Sequence, residues 1–265
     1  MASGPVGALV GGGCFLLAAL VYAVRGRAGP WLGTAGAAVL TGALAGRGLR
    51  AGHWPLTDEY EFALAFALGT ALAALALGHR ERYSQPDQGD SAVRATTMAL
   101  AAVLAACARL IMPAFKRAIQ PLPPALDSAW LPLHVGAAAL GYGALAMAGA
   151  AAIVWRARES GRAEAEQLMD RAIAAGYPLL TLSMLLGMVW AQEAWGRYWD
   201  WDLKEVWTLV TWLVYTLYWH LRGRRRWKGR RLFWLALVGL GAVLFTFLGV
   251  GWLARAVGLQ SLHLF

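Results

Sequence analysis

Apolar positions gather along the whole chain into runs close to the ~20 residues that carry a helix across a bilayer. None is bounded like a strand, so the runs read as helices whose backbone groups are satisfied internally. Eight are predicted, at about 5 to 24, 30 to 46, 60 to 78, 95 to 112, 130 to 155, 173 to 193, 203 to 221 and 232 to 254. The second is short and rich in glycine and alanine, a composition that suits close helix packing. Between the fourth and fifth, Pro113, Pro121, Pro123 and Pro124 predict an irregular loop or a broken interfacial helix. No internal repeat is visible and the loops are too short for a separate soluble domain. The fold class is therefore all-α, an integral membrane helical bundle in which residues 1–265 form a single polytopic domain.

Composition supports that class, because 59% hydrophobic and 15% charged residues do not describe a soluble domain. The net charge of +9 raises the question of nucleic acid. Its bases lie beside apolar runs, as topology signals do, and nucleic acid is set aside. The segment RGRRRWKGRR, with seven bases from Arg222 to Arg231, should be cytoplasmic. Counting outward from it puts sixteen bases inside, Arg94 among them, and seven outside, Arg47 among them, with Arg109 left within a span. Both termini and the segment 190–207 are then external. The first run has no base ahead of it and Arg25 and Arg27 behind it, the reverse of a signal peptide, so it reads as a retained span. Cys14 and Cys107 form no CxxC or CxxCH, which argues against a thiol oxidoreductase and against covalently held haem. Both thiols read as core packing.

Chemistry is concentrated in WAQEAWGRYWDWDLKEVW, Trp190 to Trp207, which holds five of the fourteen tryptophans and four carboxylates. Trp190, Trp195, Trp199, Trp201 and Trp207 can wall a large flat apolar ligand such as haem. The alternative is an interfacial aromatic belt, although a belt spreads its rings. His134, just inside the fifth span, and His263, in the tail, both reach the external face, and neutral imidazole is the usual axial ligand of haem. Each has a plainer reading, as a hydrogen-bonded buried histidine and as an exposed tail residue. His220 lies fifteen residues beyond Glu205, roughly 22 Å further along the helix. It marks either a second station near the cytoplasmic side or a residue favoured by the helix dipole. His79 reads as a boundary loop residue and His53 as an orienting group. Asp202-x-x-Glu205 predicts a helix cap, with Asp200 and Glu193 open. Arg109 either snorkels or pairs with a haem propionate.

These segments resemble the CcsA (ResC) family, the membrane component of system II cytochrome c biogenesis. Its W-G-x-x-W-x-W-D core is met by Trp195, Gly196, Trp199, Trp201 and Asp202. GHWPLTDEYEF matches the family's G-H-x-P-L-x-x-x-Y-E, and LPLHVGAAALGYG its first external histidine. The likeness runs from about residue 50 to the end. It implies a transiently bound haem b (iron protoporphyrin IX) between His134 and His263, with His220 serving a transmembrane haem. Trp190, Trp195, Gly196, Trp199, Trp201, Asp202 and Arg109 would hold and position the ring. Reduced haem would then be presented to apocytochrome c, whose CxxCH thiolates add across the two vinyl groups. A CcsB (ResB) partner would supply the missing transmembrane histidine. The implied location is the inner (plasma) membrane, with the haem site facing the periplasm. Leu203, Val206 and the ending SLHLF depart from the family's common residues. Two other readings stand beside this one: a haem exporter like CcmC that performs no attachment, and a proton- or ion-coupled transporter using His220 and Arg109.

Overall fold

The computed structural model describes residues 3–24, 28–78, 88–224 and 227–258, and its regular elements are helical throughout. Helices α1 (Ser3–Ala23), α2 (Gly29–Ala51), α3 (Glu59–Leu77) and α4 (Gln88–Leu110) are followed by a short α5 (Ala114–Arg117) and a 3-10 turn (Pro124–Leu126). Then come α6 (Trp130–Ala157), α7 (Arg162–Trp195), α8 (Leu203–Gly223), α9 (Arg230–Leu244), a π turn (Phe245–Gly249) and α10 (Val250–Val257). The protein is a multi-pass membrane helical bundle. Every predicted span falls on helix, and the proline-rich connection is irregular apart from α5 and the 3-10 turn.

Among the described residues, six helical stretches are long and apolar enough to cross a membrane: Val6–Ala23, Glu59–Leu77, Gln88–Leu110, Trp130–Ala157, Arg162–Trp195 and Arg230–Ala254. The two other predicted spans, α2 and α8, fall short of that threshold. Glycines with Arg47 and Arg50 dilute α2, while α8 trades aliphatic residues for threonine, tyrosine and tryptophan.

Helix α6 is the centre of the bundle, with α3, α4, α7 and α9 packed around it. Lipid tails are as apolar as leucine, so nothing squeezes helices together in a membrane except close packing and hydrogen bonds. Glycine and alanine on α6 permit that packing. A Cβ at Gly143 would fall 2.2 Å from the carbonyl carbon of Gly69 on α3, and one at Gly176 on α7 would fall 3.0 Å from the carbonyl oxygen of Gly141.

Two helices extend beyond their apolar runs. α7 begins at Arg162 rather than near 173, because its first turns are a polar helix. Glu166 and Asp170 there receive Arg222 of α8 at 2.8 and 2.6 Å. α4 begins at Gln88 rather than near 95, and Arg94, expected in a loop, is buried inside it. Its guanidinium pairs with Asp90 at 2.8 Å and lies over the Tyr22 ring. Arg47, also expected in a loop, is buried on α2. In both cases an ion pair replaces the water that a lone charge would need.

Gly143→Ala should lower stability by about 1–3 kcal/mol, since the methyl would overlap backbone that cannot move aside. Gly42→Ala, where an added Cβ meets nothing within 4 Å, should cost nothing. Thermal unfolding of the two purified variants in detergent measures the difference.

Candidate functional site

The tryptophan segment is a short loop held at both ends by helix caps. α7 stops at Gly196, whose φ of 76° is open to glycine and whose N–H donates to the Gln192 carbonyl at 3.0 Å. α8 starts at Asp202, and its carboxylate accepts the Lys204 N–H at 2.7 Å. Glu205 reaches back to accept from the backbone of Asp202 at 3.2 Å and of Asp200 at 2.8 Å. The capping box expected of Asp202 and Glu205 is thus present. Asp200 also pairs with Arg197, and Glu193 accepts from Ser128 at 3.1 Å. Between the caps Trp201 is left-handed, with φ 58°, and 70% exposed.

Beneath the loop lies a groove enclosing a cavity of about 160 Å³. Helices α3, α6, α7 and α8, the π turn and the segment before α3 all contribute to it. Met184, Met188, Val135, Phe62 and Phe247 give it soft apolar surface, and Tyr142, Thr208 and Thr246 add hydroxyls. Asp58, Glu59, Lys204 and Glu205 bring charge to its lining. Thr246 and Phe247 belong to the π turn, a distortion that recurs at functional sites.

His134 is on the groove wall, and its orientation is determined. Its Nδ1 lies 2.7 Å from the Ser183 carbonyl oxygen, which can only accept, so the proton sits on Nδ1 and the lone pair on Nε2. Ser183 Oγ in turn donates to the His134 carbonyl at 3.1 Å. Gly187, one turn further along α7, leaves room for the ring, since a Cβ there would lie 2.7 Å from His134 Cε1. Trp190 stacks parallel to the imidazole, with centroids 6.2 Å apart and planes 10° apart. Its own Nε1 donates to the Ala125 carbonyl at 3.0 Å, which anchors this indole as part of the frame.

The remaining indoles divide into distinct positions. Trp199 lines the groove, and its Nε1 is buried with no partner among the described residues. Trp195 stands edge-on to Trp190 at 6.3 Å, and Trp201 edge-on to Trp199 at 5.8 Å, so both brace the lining rings from outside it. Trp207 packs instead on Phe245 at 4.3 Å. Arg109 is not among the lining residues; its carbonyl accepts from Arg117 at 2.7 Å, and its Nε is buried with no partner among the described residues. His220 is exposed near the far end of α8. His53 lines a neighbouring cavity. His79 and His263 lie outside the described residues.

Sequence reasoning passed over Ser183, Gly187, Lys204 and Tyr142 as lining or supporting groups. It also missed Arg47, which ties the rim together. That guanidinium binds Glu61, Asp58 at 2.8 Å and the carbonyls of Arg117 and Ala118 at 2.7 and 3.1 Å. Burial, and next the carboxylate of Glu61, push Asp58 up to about 6 in spite of Arg47. The signal lay in GHWPLTDEYEF, whose charges stand beside an apolar run.

The Cytochrome C assembly protein family matches residues 57–257 of the chain. The cytochrome c biogenesis protein CcsA of Synechococcus elongatus is 34% identical, over 88% of this chain and 87% of its own length. CcsA of Gloeobacter violaceus is 31% identical over 87% and 86%, and that of Guillardia theta 30% over 81% and 78%. The class is thus a membrane protein of cytochrome c assembly. Within it, the chain belongs to the CcsA family. Its fold is also that of the cytochrome c haem lyase CcmF, with a TM-score of 0.68 and 19% identity over 96% of this chain. The chain spans about half of that larger protein, 49% of its length.

Asp58 gives the rim a pH dependence. A carboxyl whose native pKa is raised binds its proton more tightly folded than unfolded, so its contribution is full below about pH 4 and is lost as pH rises through about 6. Asp58→Asn, which keeps the cap and the neutral form, should flatten the fall in thermal midpoint between these pH values relative to wild type.

Proposed function

We propose that this protein, which acts in cytochrome c maturation, holds haem b in the tryptophan groove and presents it for covalent attachment to apocytochrome c. The observation that carries the reading is His134: a half-buried imidazole whose lone pair is assigned to Nε2 by Ser183, stacked on Trp190 at the wall of an apolar groove. Neutral imidazole oriented by a carbonyl on its other nitrogen is the form that binds iron.

The other residues fit a porphyrin in kind. Trp199 offers a ring face and a buried N–H without a partner among the described residues. Lys204 brings a cation to the lining for a propionate, whereas Arg109, the other candidate for that role, is not among the lining residues. Trp195, Gly196, Trp201 and Asp202 position the loop over the ring. His263, which lies outside the described residues, would be the second histidine to hold the iron. His220, ~22 Å along α8 from Glu205, would serve a second haem station with a histidine from a CcsB-type partner. The excess of bases in the loops on the other side supports a groove that faces the periplasmic side of the inner membrane.

Haem supplies the vinyl groups to which the CxxCH thiols of apocytochrome c add. The chain's part is to hold that edge still beside a docked thiol, which makes a bimolecular addition effectively unimolecular. No side chain of this protein need act as a nucleophile.

Optical spectra of the purified protein, prepared with and without its partner, test this. Sharp low-spin bands should be altered differently by His134→Ala and His220→Ala. Gly187→Ala, which crowds the imidazole without touching iron, should weaken haem binding by about 10–100-fold, as loss of ligand orientation does elsewhere. Colourless protein in every preparation would reject the reading.

A further inference from the structure

A second cavity, of about 690 Å³, adjoins the groove. Leu56, Thr57, Leu126 and Leu131 line both, so the same four side chains form a wall of each. The second cavity differs in character. His53, Asp127 and Ser128 make it partly polar, and Leu49 and Trp54 on its lining are 86% and 70% exposed. Its volume falls within the range of pockets that bury most of a drug-sized ligand, about 300–1,000 Å³.

His53 is the chemically distinctive group there. Its Nδ1 lies 3.0 Å from the Trp54 carbonyl oxygen, which assigns the proton to Nδ1 and the lone pair to Nε2. That Nε2 is buried and has no partner among the described residues. A buried acceptor left unmatched is destabilising, and a donor from an incoming molecule would recover that loss. The position is maintained by Gly48, where a Cβ would lie 3.0 Å from the His53 carbonyl oxygen, and by the left-handed turn at Gly52 with φ 75°.

We propose that this cavity docks the cysteine-bearing segment of the polypeptide that receives haem, and that His53 Nε2 accepts the hydrogen of its thiol. The proposal rests on the haem-attachment reading. A lipid tail would leave His53, Asp127 and Ser128 unmatched, whereas a peptide brings donors as well as apolar side chains. The shared wall places such a segment next to the groove. In the addition itself one S–H bond and the π bond of the vinyl group break, one C–S bond forms at a vinyl carbon and one C–H bond forms at its neighbour. His53 takes the thiol proton, a proton goes to the vinyl carbon, and no electron is gained or lost.

The test is binding of labelled synthetic peptides to the full-length purified protein: one containing CxxCH, the other with both cysteines replaced by alanine. Wild type should prefer the CxxCH peptide. His53→Ala should weaken CxxCH binding about tenfold, one lost hydrogen bond, and leave the alanine peptide unchanged, with the haem spectrum intact. Leu122→Trp, which fills this cavity and is not part of the groove lining, should abolish binding of both peptides, again with the haem spectrum intact. Equal weakening of both peptides by His53→Ala, or no weakening of either, would reduce His53 to a packing residue and overturn the proposal. A haem-loaded wild type that binds neither peptide would overturn it and leave the haem reading standing. A colourless wild type would overturn both.

Discussion

The site depends on how closely α6 and α7 can approach each other. In lipid no hydrophobic force gathers helices, so their separation is set by the size of the side chains between them. Gly141 and Gly176 bring these two backbones together near mid-helix. Two to three turns further toward the tryptophan loop, the same closeness lets the imidazole of His134 reach a main-chain oxygen of α7. A backbone carbonyl on a helix is normally committed to its own ladder. Ser183 can share its carbonyl only because the neighbouring helix is within a hydrogen bond's length, and Gly187 removes the one Cβ that would have stood in the way.

A second layer of order comes from charge. Arg47, on α2, gathers two carboxylates from the start of α3 and two main-chain carbonyls from the end of α5. A guanidinium has five donors in a planar fork, and here most are used. The cluster fixes residues 55–59, which supply lining to both cavities. One cation there faces two carboxylates, and each is hydrogen-bonded, which lowers the cost of burying them.

Much of the fold was legible because membrane crossing imposes a length and a composition, and the eight apolar segments fall on helices for that reason. What the pattern concealed was polar helix. The first turns of α7 and α4 carry charge, and hydropathy alone reads charge as loop. Arg47 and Arg94 were misplaced by the same logic: a base paired with a buried acid looks, in sequence, like one that faces water. The cap of α8 was readable because D-x-x-E has a local mechanism. His134 stood out because an ionisable group in a span is costly and rare. Ser183 and Gly187 did not, because small residues are ordinary in spans and their meaning appears only when the facing helix is known. The π turn left no mark in the sequence, and its first residue, Phe245, packs against Trp207 of α8.

Trp201 is a large apolar side chain facing outward from a backbone conformation that few non-glycine residues adopt. The capped helices on either side and the edge contact with Trp199 keep it there. The direction in which its indole leaves the backbone is therefore already set. A partner meeting the loop here would have less backbone entropy to remove than on an uncapped stretch of chain. The loop in consequence presents an apolar ring at its outer surface on a backbone already held by two helix caps, in place of the polar side chain that such a turn usually carries.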